Sequence, residues 1–274
     1  MAGKRVLMVR LGAMGDVIHT LPAARALAPV TWLVKPQWLP LLEGNPHVRA
    51  IVSLDGIFDE AYDFQGLIKS AIFARWSGAK TVRGFDDPKE SPARWFYTHR
   101  VARRGEHVVD HNLALAGVAG PAEFAIPPGR PEGRLPEGKF VLACPMAGWA
   151  SKQWPREYYE DLRRLLPVPL VLNGPPGSGL DHESSIAGLI DATRRAAAIV
   201  GVDSGPLHLA AALAKPGVAI FGPTDPKRNG PYGGTMGVLR DPGAPTTYKR
   251  GTEISPSMRA ISPRAVADAL KDCL

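Results

Sequence analysis

The stretch Val6-Leu-Met-Val9-Arg10-Leu-Gly-Ala-Met-Gly-Asp16-Val-Ile-His-Thr-Leu-Pro22-Ala-Ala-Arg-Ala-Leu27 decides how this chain folds. Residues 6–9 are an unbroken apolar run, as in a strand buried on both faces of a parallel sheet. A glycine turn follows, then a carboxylate, then a helix expected over residues 17–27. This βα order places Asp16 at the mouth of the sheet, outside the carboxyl ends of the strands, where open α/β folds bind ligands. A carboxylate there is either a helix cap, contributing about 1 kcal/mol, or a catalytic base. Taken alone, the position favours the cap. The run is neither Gly-x-Gly-x-x-Gly nor a P-loop, so no dinucleotide or Walker fingerprint is present.

At 274 residues, 45% hydrophobic and 22% charged, the chain suits one large or two ordinary α/β domains with their own cores. Its longest apolar runs fall short of the roughly 20 residues a membrane helix needs. Arg10 interrupts a first apolar stretch too short for a signal-peptide core. Cys144 and Cys273 lie far apart with no Cys-x-x-Cys pair, which argues against a zinc knuckle or a disulfide framework. These features predict a cytoplasmic protein. The net charge of +7 favours anionic partners, whether nucleotides, phosphorylated lipids or nucleic acid. No zinc-finger spacing or RNA-binding signature appears, so nucleic acid is not expected. The basic, aromatic run Arg94-Trp-Phe-Tyr-Thr-His-Arg-Val-Ala-Arg-Arg104 suits lipid headgroups; a solvated charged surface is its other reading.

Two halves are visible. Residues 117–138 hold Pro121, Pro127, Pro128, Pro131 and Pro136 among five glycines, a composition that continues neither helix nor central strand. We therefore expect an amino-terminal domain over residues 1–125, a linker over 126–138 and a carboxy-terminal domain over 139–274. Before the linker, strands are expected at 30–34, 50–54 and ending at 62–64, with helices near 38–43, 67–76 and 108–115. After it come strands at 140–143, 169–172, 197–202 and 218–221, and helices at 156–166 and 205–214. Ser262-Pro263 caps a closing helix through Leu270, which could pack back on the first domain. Alternation in both halves predicts two Rossmann-like, doubly wound domains.

Four further runs carry candidate chemistry. Gly201-Val-Asp-Ser-Gly-Pro-Leu-His208 follows an apolar strand and opens a helix, whose exposed amides and positive dipole end suit a phosphate. Ser204 is not in a Gly-x-Ser-x-Gly elbow, which argues against a serine hydrolase. Pro145-Met-Ala-Gly-Trp-Ala-Ser-Lys152-Gln-Trp-Pro155 carries one lysine that could neutralise a pyrophosphate. Tyr62-Asp-Phe-Gln-Gly-Leu-Ile-Lys69-Ser-Ala71 places Lys69 at a helix start. Phe221-Gly-Pro-Thr-Asp-Pro-Lys-Arg-Asn-Gly-Pro-Tyr232 is a turn-rich loop at a strand end, where ligand contacts usually sit. Each also has a plain structural reading: a capped helix with a satisfied His208, solvated lysines, an ordinary loop.

Taken in order, these runs and Ser91-Pro-Ala-Arg-Trp-Phe-Tyr97 resemble the glycosyltransferase family that contains the lipopolysaccharide heptosyltransferases. The resemblance spans nearly the whole chain. The Asp63–Lys69 and Ser91–Tyr97 runs look most like the branch that adds the first heptose to the Kdo of lipid A. It implies a GT-B architecture, two Rossmann-like domains facing across a cleft, with acceptor on the first and ADP-heptose on the second. Turnover would be inverting and metal-independent, with no cofactor beyond the ADP-sugar donor. Asp16 matches the general base. Lys152, Asp203, Ser204, Gly205 and His208 match donor-site positions, and Lys69 and Arg94 acceptor-side ones. The expected acceptor is a Kdo-lipid A type glycolipid, met through peripheral contact with the cytoplasmic face of the inner membrane.

One stretch departs from that pattern. Gly174-Pro-Pro-Gly-Ser-Gly179 stands where a helix should follow the strand and where relatives place an acidic residue for the nucleotide ribose. Asp181 and Glu183 are the substitutes nearby. A family member with another acceptor sugar, a nucleotide-sugar binding protein that has lost turnover, and a nucleotide-sugar epimerase are the rival readings.

Overall fold

The computed structural model describes residues 4–274, so the first three residues of the expected amino-terminal domain lie outside the described residues. The chain divides into two units at Pro127–Pro128.

The first unit runs β1 (Val6–Val9), α1 (Met14–Leu27), β2 (Val30–Leu33), a 3-10 segment (Pro36–Leu41) and β3 (Val48–Ile51). It continues with β4 (Glu60–Asp63), α2 (Ile68–Trp76), β5 (Thr81–Phe85), a second 3-10 segment (Ser91–Phe96), β6 (His99–Val101) and α3 (Val108–Ala116). All strand pairs are parallel, in the order β3-β2-β1-β4-β5-β6. That is the doubly wound Rossmann order, whose direction reverses between β1 and β4. Every residue of β1 is buried, as its apolar run requires, and Leu7 and Val9 pack with Ala61, Ala71, Ala74, Val82 and Tyr97. On α1, Val17, Ile18 and Leu21 are buried. Asn112 on α3 donates to the His19 carbonyl and to the Thr20 hydroxyl, joining α3 to α1.

The second unit repeats the plan. It comprises β7 (Val141–Cys144), α4 (Arg156–Leu165), β8 (Leu170–Gly174), β9 (His182–Glu183), α5 (Ile186–Arg195) and β10 (Ala198–Val202). Then follow α6 (Gly205–Ala212), β11 (Gly217–Phe221), α7 (Pro226–Asn229), β12 (Met236–Arg240), α8 (Pro256–Arg259) and α9 (Pro263–Leu270). The all-parallel order β12-β11-β10-β7-β8-β9 reverses between β7 and β10. Val141, Leu170, Val200, Val218 and Ile220 form its core with Trp154, Tyr159 and Leu162. The closing helix α9 lies on α4 and β11 of this same unit, its Val266 and Leu270 in that core.

Three expectations need correction. Helix α1 begins at Met14 rather than Val17, because the turn closes earlier than the last glycine suggested. A helix does follow β8: after the 174–179 turn and the short β9, α5 starts at Ile186 behind its N-cap Ser185, whose side chain accepts from the Gly188 amide. And the helix expected near 38–43 is a 3-10 segment, Pro36–Leu41, with Pro40 inside it, which lacks the N–H an α-helix would need there.

The Pro/Gly-rich stretch between the units has no helix or strand, yet each end is held in its own unit. Glu123 pairs with Arg25, and the Ala125 carbonyl accepts from Asn45. Beyond Pro128, the Arg130 amide donates to the Ala187 carbonyl, and the Glu132 carboxylate accepts from the Ser185 amide and hydroxyl.

Candidate active site

Asp16 and Lys69 follow the carboxyl ends of the strands at the β1/β4 reversal, and Lys152 and Asp203 those at the β7/β10 reversal, while Arg94 follows β5.

In the first unit, Ala13 is the N-cap of α1 and Asp16 sits in its first turn. Asp16 is therefore not the cap residue that the sequence suggested. Its Oδ2 accepts from the Ala13 amide at 3.1 Å, reaching back over the helix start in the manner of the acidic half of a capping box. Its Oδ1 lies 2.8 Å from Arg10 Nη2, and the side chain keeps 41% of its exposure. A carboxylate offers about four acceptor positions, so after these bonds each oxygen retains one. Gly12 has φ +141°, and a Cβ there would lie 2.4 Å from the Trp38 indole nitrogen. That close approach excludes any side chain at position 12.

Asp63, at the end of β4, is fully buried. It accepts from Tyr97 Oη at 2.7 Å, Ser70 Oγ at 2.9 Å and the amides of Gln65 and Gly66 at 2.9 and 3.1 Å. Burial pushes its carboxyl up, against the opposing pull of those four donors. The Tyr97 phenol is likewise pushed up, first by burial and then by the neighbouring Asp63. Asp63 thus fixes the turn from which α2 starts. Lys69 stands exposed on α2, its Nζ 5.8 Å from the Phe73 ring centre. Arg94 is exposed on the second 3-10 segment beside Trp95, which is 75% exposed.

In the second unit, Lys152 and Asp203 meet across the β7/β10 reversal. Lys152 Nζ donates to Asp203 Oδ2 at 2.6 Å, the side chains keeping 15% and 4% of their exposure. Asp203 Oδ2 also accepts from Thr224 Oγ1 at 2.7 Å and Asn229 Nδ2 at 3.3 Å. His208 Nε2, on the first turn of α6, lies 3.5 Å from Oδ1. Burial alone would raise the Asp203 carboxyl, but the His208 and Lys152 interactions outweigh it and hold the group well below the usual carboxylate range. Lys152 also lies 4.3 Å from the Trp149 ring centre. Its ammonium has three donors, so with one committed to Asp203 it is aimed yet still able to meet an anion. Ser204 is the N-cap of α6, and its buried hydroxyl has no hydrogen-bond partner. Gly205 opens the helix, and Pro206 brings no N–H of its own.

Lys152, Asp203, Ser204, Gly205 and His208 are thus gathered in one place, with Asp203 turned inward to hold its neighbours. Sequence reasoning missed Thr224 and Asn229, although both stand in the turn-rich loop it singled out, and it missed Arg10. The two acidic substitutes near the 174–179 turn are already engaged. Asp181 binds Arg163 at 2.7 Å and the Leu172 amide at 2.9 Å, while Glu183 accepts from the amides of Gly177 and Gly179. Among the described residues, no group of three or more His, Cys, Asp or Glu side chains is placed to hold a metal ion. No helix of the described residues is long and apolar enough to cross a membrane.

Two parallel, helix-flanked sheets, each with loops at its reversal point, match the GT-B-like fold of known heptosyltransferase structures. The Escherichia coli heptosyltransferase WaaC, solved with ADP, superposes with a TM-score of 0.75 at 25% identity over 98% of this chain and 100% of its own. The Escherichia coli ADP-heptose lps heptosyltransferase II shares the fold, with a TM-score of 0.77 at 20% identity over 98% of each chain. Among sequences, lipopolysaccharide heptosyltransferase 1 of Pseudomonas aeruginosa is 28% identical over 84% of this chain and 81% of its own. Residues 49–167 and 182–254 match the profile of glycosyltransferase family 9 (heptosyltransferase). The chain belongs to that family and is a glycosyltransferase of the heptosyltransferase kind.

Proposed function

We propose that this enzyme transfers heptose from ADP-heptose to a Kdo-lipid A type acceptor, with inversion and without a metal ion. The observation that carries the reading is Asp16: a half-exposed carboxylate at the β1/β4 reversal, aimed by two bonds and retaining a lone pair on each oxygen. The name of the similar Pseudomonas aeruginosa protein supports the pathway, and the ADP in the Escherichia coli WaaC structure supports an ADP-linked donor.

In the proposed reaction, the acceptor hydroxyl oxygen attacks the anomeric carbon of the heptose. The bond from that carbon to the diphosphate oxygen breaks on the opposite face, and ADP departs with the electron pair. Asp16 takes the hydroxyl proton as the new glycosidic bond forms. Charge growing on the diphosphate meets Lys152, the Ser204 hydroxyl and the start of α6. Asp203, Thr224, Asn229 and His208 hold that lysine in place. Lys69 and Arg94 serve the acceptor's acidic groups. The exposed Trp95 and the basic 94–104 run make peripheral contact with anionic lipid at the cytoplasmic face of the inner membrane.

The test is ADP release with purified Kdo-lipid A and ADP-heptose. Sustained release with formation of the heptosylated lipid supports the reading. ADP-heptose binding without release returns the chain to a binding protein, and release only with a different acceptor returns it to another branch of the family.

A further inference from the structure

Arg10 is the charged residue that ends β1's apolar run, and its surroundings are unusual for an arginine. Its side chain is 9% exposed, although guanidinium groups are seldom buried without a partner. One terminal nitrogen, Nη2, lies 2.8 Å from Asp16 Oδ1. The other, Nη1, donates to the Phe64 carbonyl in the turn after β4. The Nε is buried with no hydrogen-bond partner. The Arg10 backbone is also held, its carbonyl accepting from the Trp32 indole at 3.1 Å and its amide donating to the Leu33 carbonyl at 3.3 Å. A second link runs parallel to the first, from the Leu11 amide to Gln65 Oε1 at 3.0 Å.

These bonds join two loops at the carboxyl end of one sheet. The loop after β1 leads into the first turn of α1, which carries Asp16. The turn after β4, fixed from below by Asp63, opens the helix that carries Lys69. A guanidinium is suited to the joint because its planar fork presents donors in fixed directions to two acceptors at once. An ammonium can meet either acceptor but lacks that fork.

We propose that Arg10 is a positioning residue for transfer: it fixes the Asp16 carboxylate and ties it to the 63–66 turn, so that base and acceptor-bearing segment keep one relative placement. This rests on Asp16 being the base. Arg10 meets neither substrate; it acts through Asp16, whose remaining lone pairs it orients. A misplacement of about 1 Å at a reacting group can cost on the order of 100-fold in rate, so the effect belongs in kcat.

The experiment compares Arg10→Lys, Arg10→Gln, Asp16→Asn and the Arg10→Lys/Asp16→Asn double variant of the full chain. The readouts are kcat, the donor KM, ADP affinity by calorimetry and the melting temperature. Arg10→Lys should lose about 10-fold in kcat and Arg10→Gln about 100-fold, with donor KM and ADP affinity within about twofold of the parent. In the Asp16→Asn background, Arg10→Lys should leave the residual rate unchanged, because the carboxylate it positions is gone. A purely structural role would instead lower the melting temperature in both backgrounds without this rate pattern. Arg10→Lys and Arg10→Gln enzymes with parental kcat, beside an inactive Asp16→Asn, overturn the positioning role and leave the base in place. Should Arg10→Gln fail to fold, the lysine variant, which keeps the charge, decides alone. A fully active Asp16→Asn overturns both readings together.

Discussion

Lys152 Nζ and Asp203 Oδ2 lie 2.6 Å apart at the carboxyl edge of the second sheet, joining the loop after β7 to the loop after β10. The pair spans the point where strand order reverses, so the cation's position is set by the fold itself. Thr224 and Asn229 bring a third strand's loop to the same carboxylate.

Removing the cation should damage donor use. Lys152→Ala is expected to lower kcat/KM for ADP-heptose by about 10²–10³-fold, the range seen when one oxyanion-type contact is lost. Binding of ADP should weaken as well. Steady-state kinetics with calorimetry check both, and an unaltered donor KM and kcat remove Lys152 from the site.

Removing the carboxylate should damage stability in a pH-dependent way. Asp203→Asn leaves Lys152 and the buried donors without their anion, a loss of about 3 kcal/mol by comparison with broken buried pairs. The Asp203 carboxyl lies below its ordinary value in the folded chain. Its contribution is therefore complete above the unfolded value, near pH 4, and is lost progressively as pH falls from there through the lower folded value. Denaturant curves from pH 7 to pH 3 should show parent and variant differing by a constant amount down to about pH 4 and the gap beginning to narrow below it. A gap that widens on acidification contradicts the assignment.

The Asp63 hub makes a separate prediction. A Cβ at Gly84 would lie 2.3 Å from the Tyr97 ring, and Tyr97 reaches Asp63 only because that space is empty. Tyr97→Phe should cost about 1–2 kcal/mol through one lost buried hydrogen bond. Gly84→Ala should cost more, since it displaces the ring as well. Thermal melts of the two variants establish the order, and equal melting temperatures would remove the hub from the argument.

The membrane contact is checked with vesicles. Trp95→Ser and Arg94→Ser should each reduce sedimentation with vesicles containing anionic lipid, and added salt should reduce binding further. Kinetics with a water-soluble acceptor fragment should change little for Trp95→Ser. Undiminished vesicle binding by the double variant places the contact elsewhere.

Much of the fold was legible because β1, β7, β10 and β11 are buried along their whole length, so their apolar runs stand out. Strand β5 was hidden by Arg83 and Gly84, residues that read as surface and turn. Arg83 instead lies with its guanidinium carbon 5.9 Å from the Tyr62 ring centre, and Gly84 makes room for Tyr97. Edge strand β6 is His-Arg-Val with its first two residues exposed, and in β12 a glycine interrupts the apolar residues and only Met236 is buried. Helix α5 was masked by the glycine and proline turn before it. At the site, residue type and local order were enough to single out Asp16, Lys152 and the Ser204-Gly205 helix start. Arg10, Thr224 and Asn229 escaped because their partners are 6, 21 and 26 residues away, and a side chain's direction over such spans follows from tertiary packing.

Transfer by Asp16→Ala, set beside its affinity for ADP, tests most sharply whether Asp16 is the base. With ADP-heptose and Kdo-lipid A, the variant should lose about 10²–10⁴-fold in turnover. Its ADP dissociation constant should remain near that of the parent, because the donor groups belong to the other unit. Parental turnover from Asp16→Ala would rule out Asp16 as the base and leave it as the acidic residue that closes the first turn of α1.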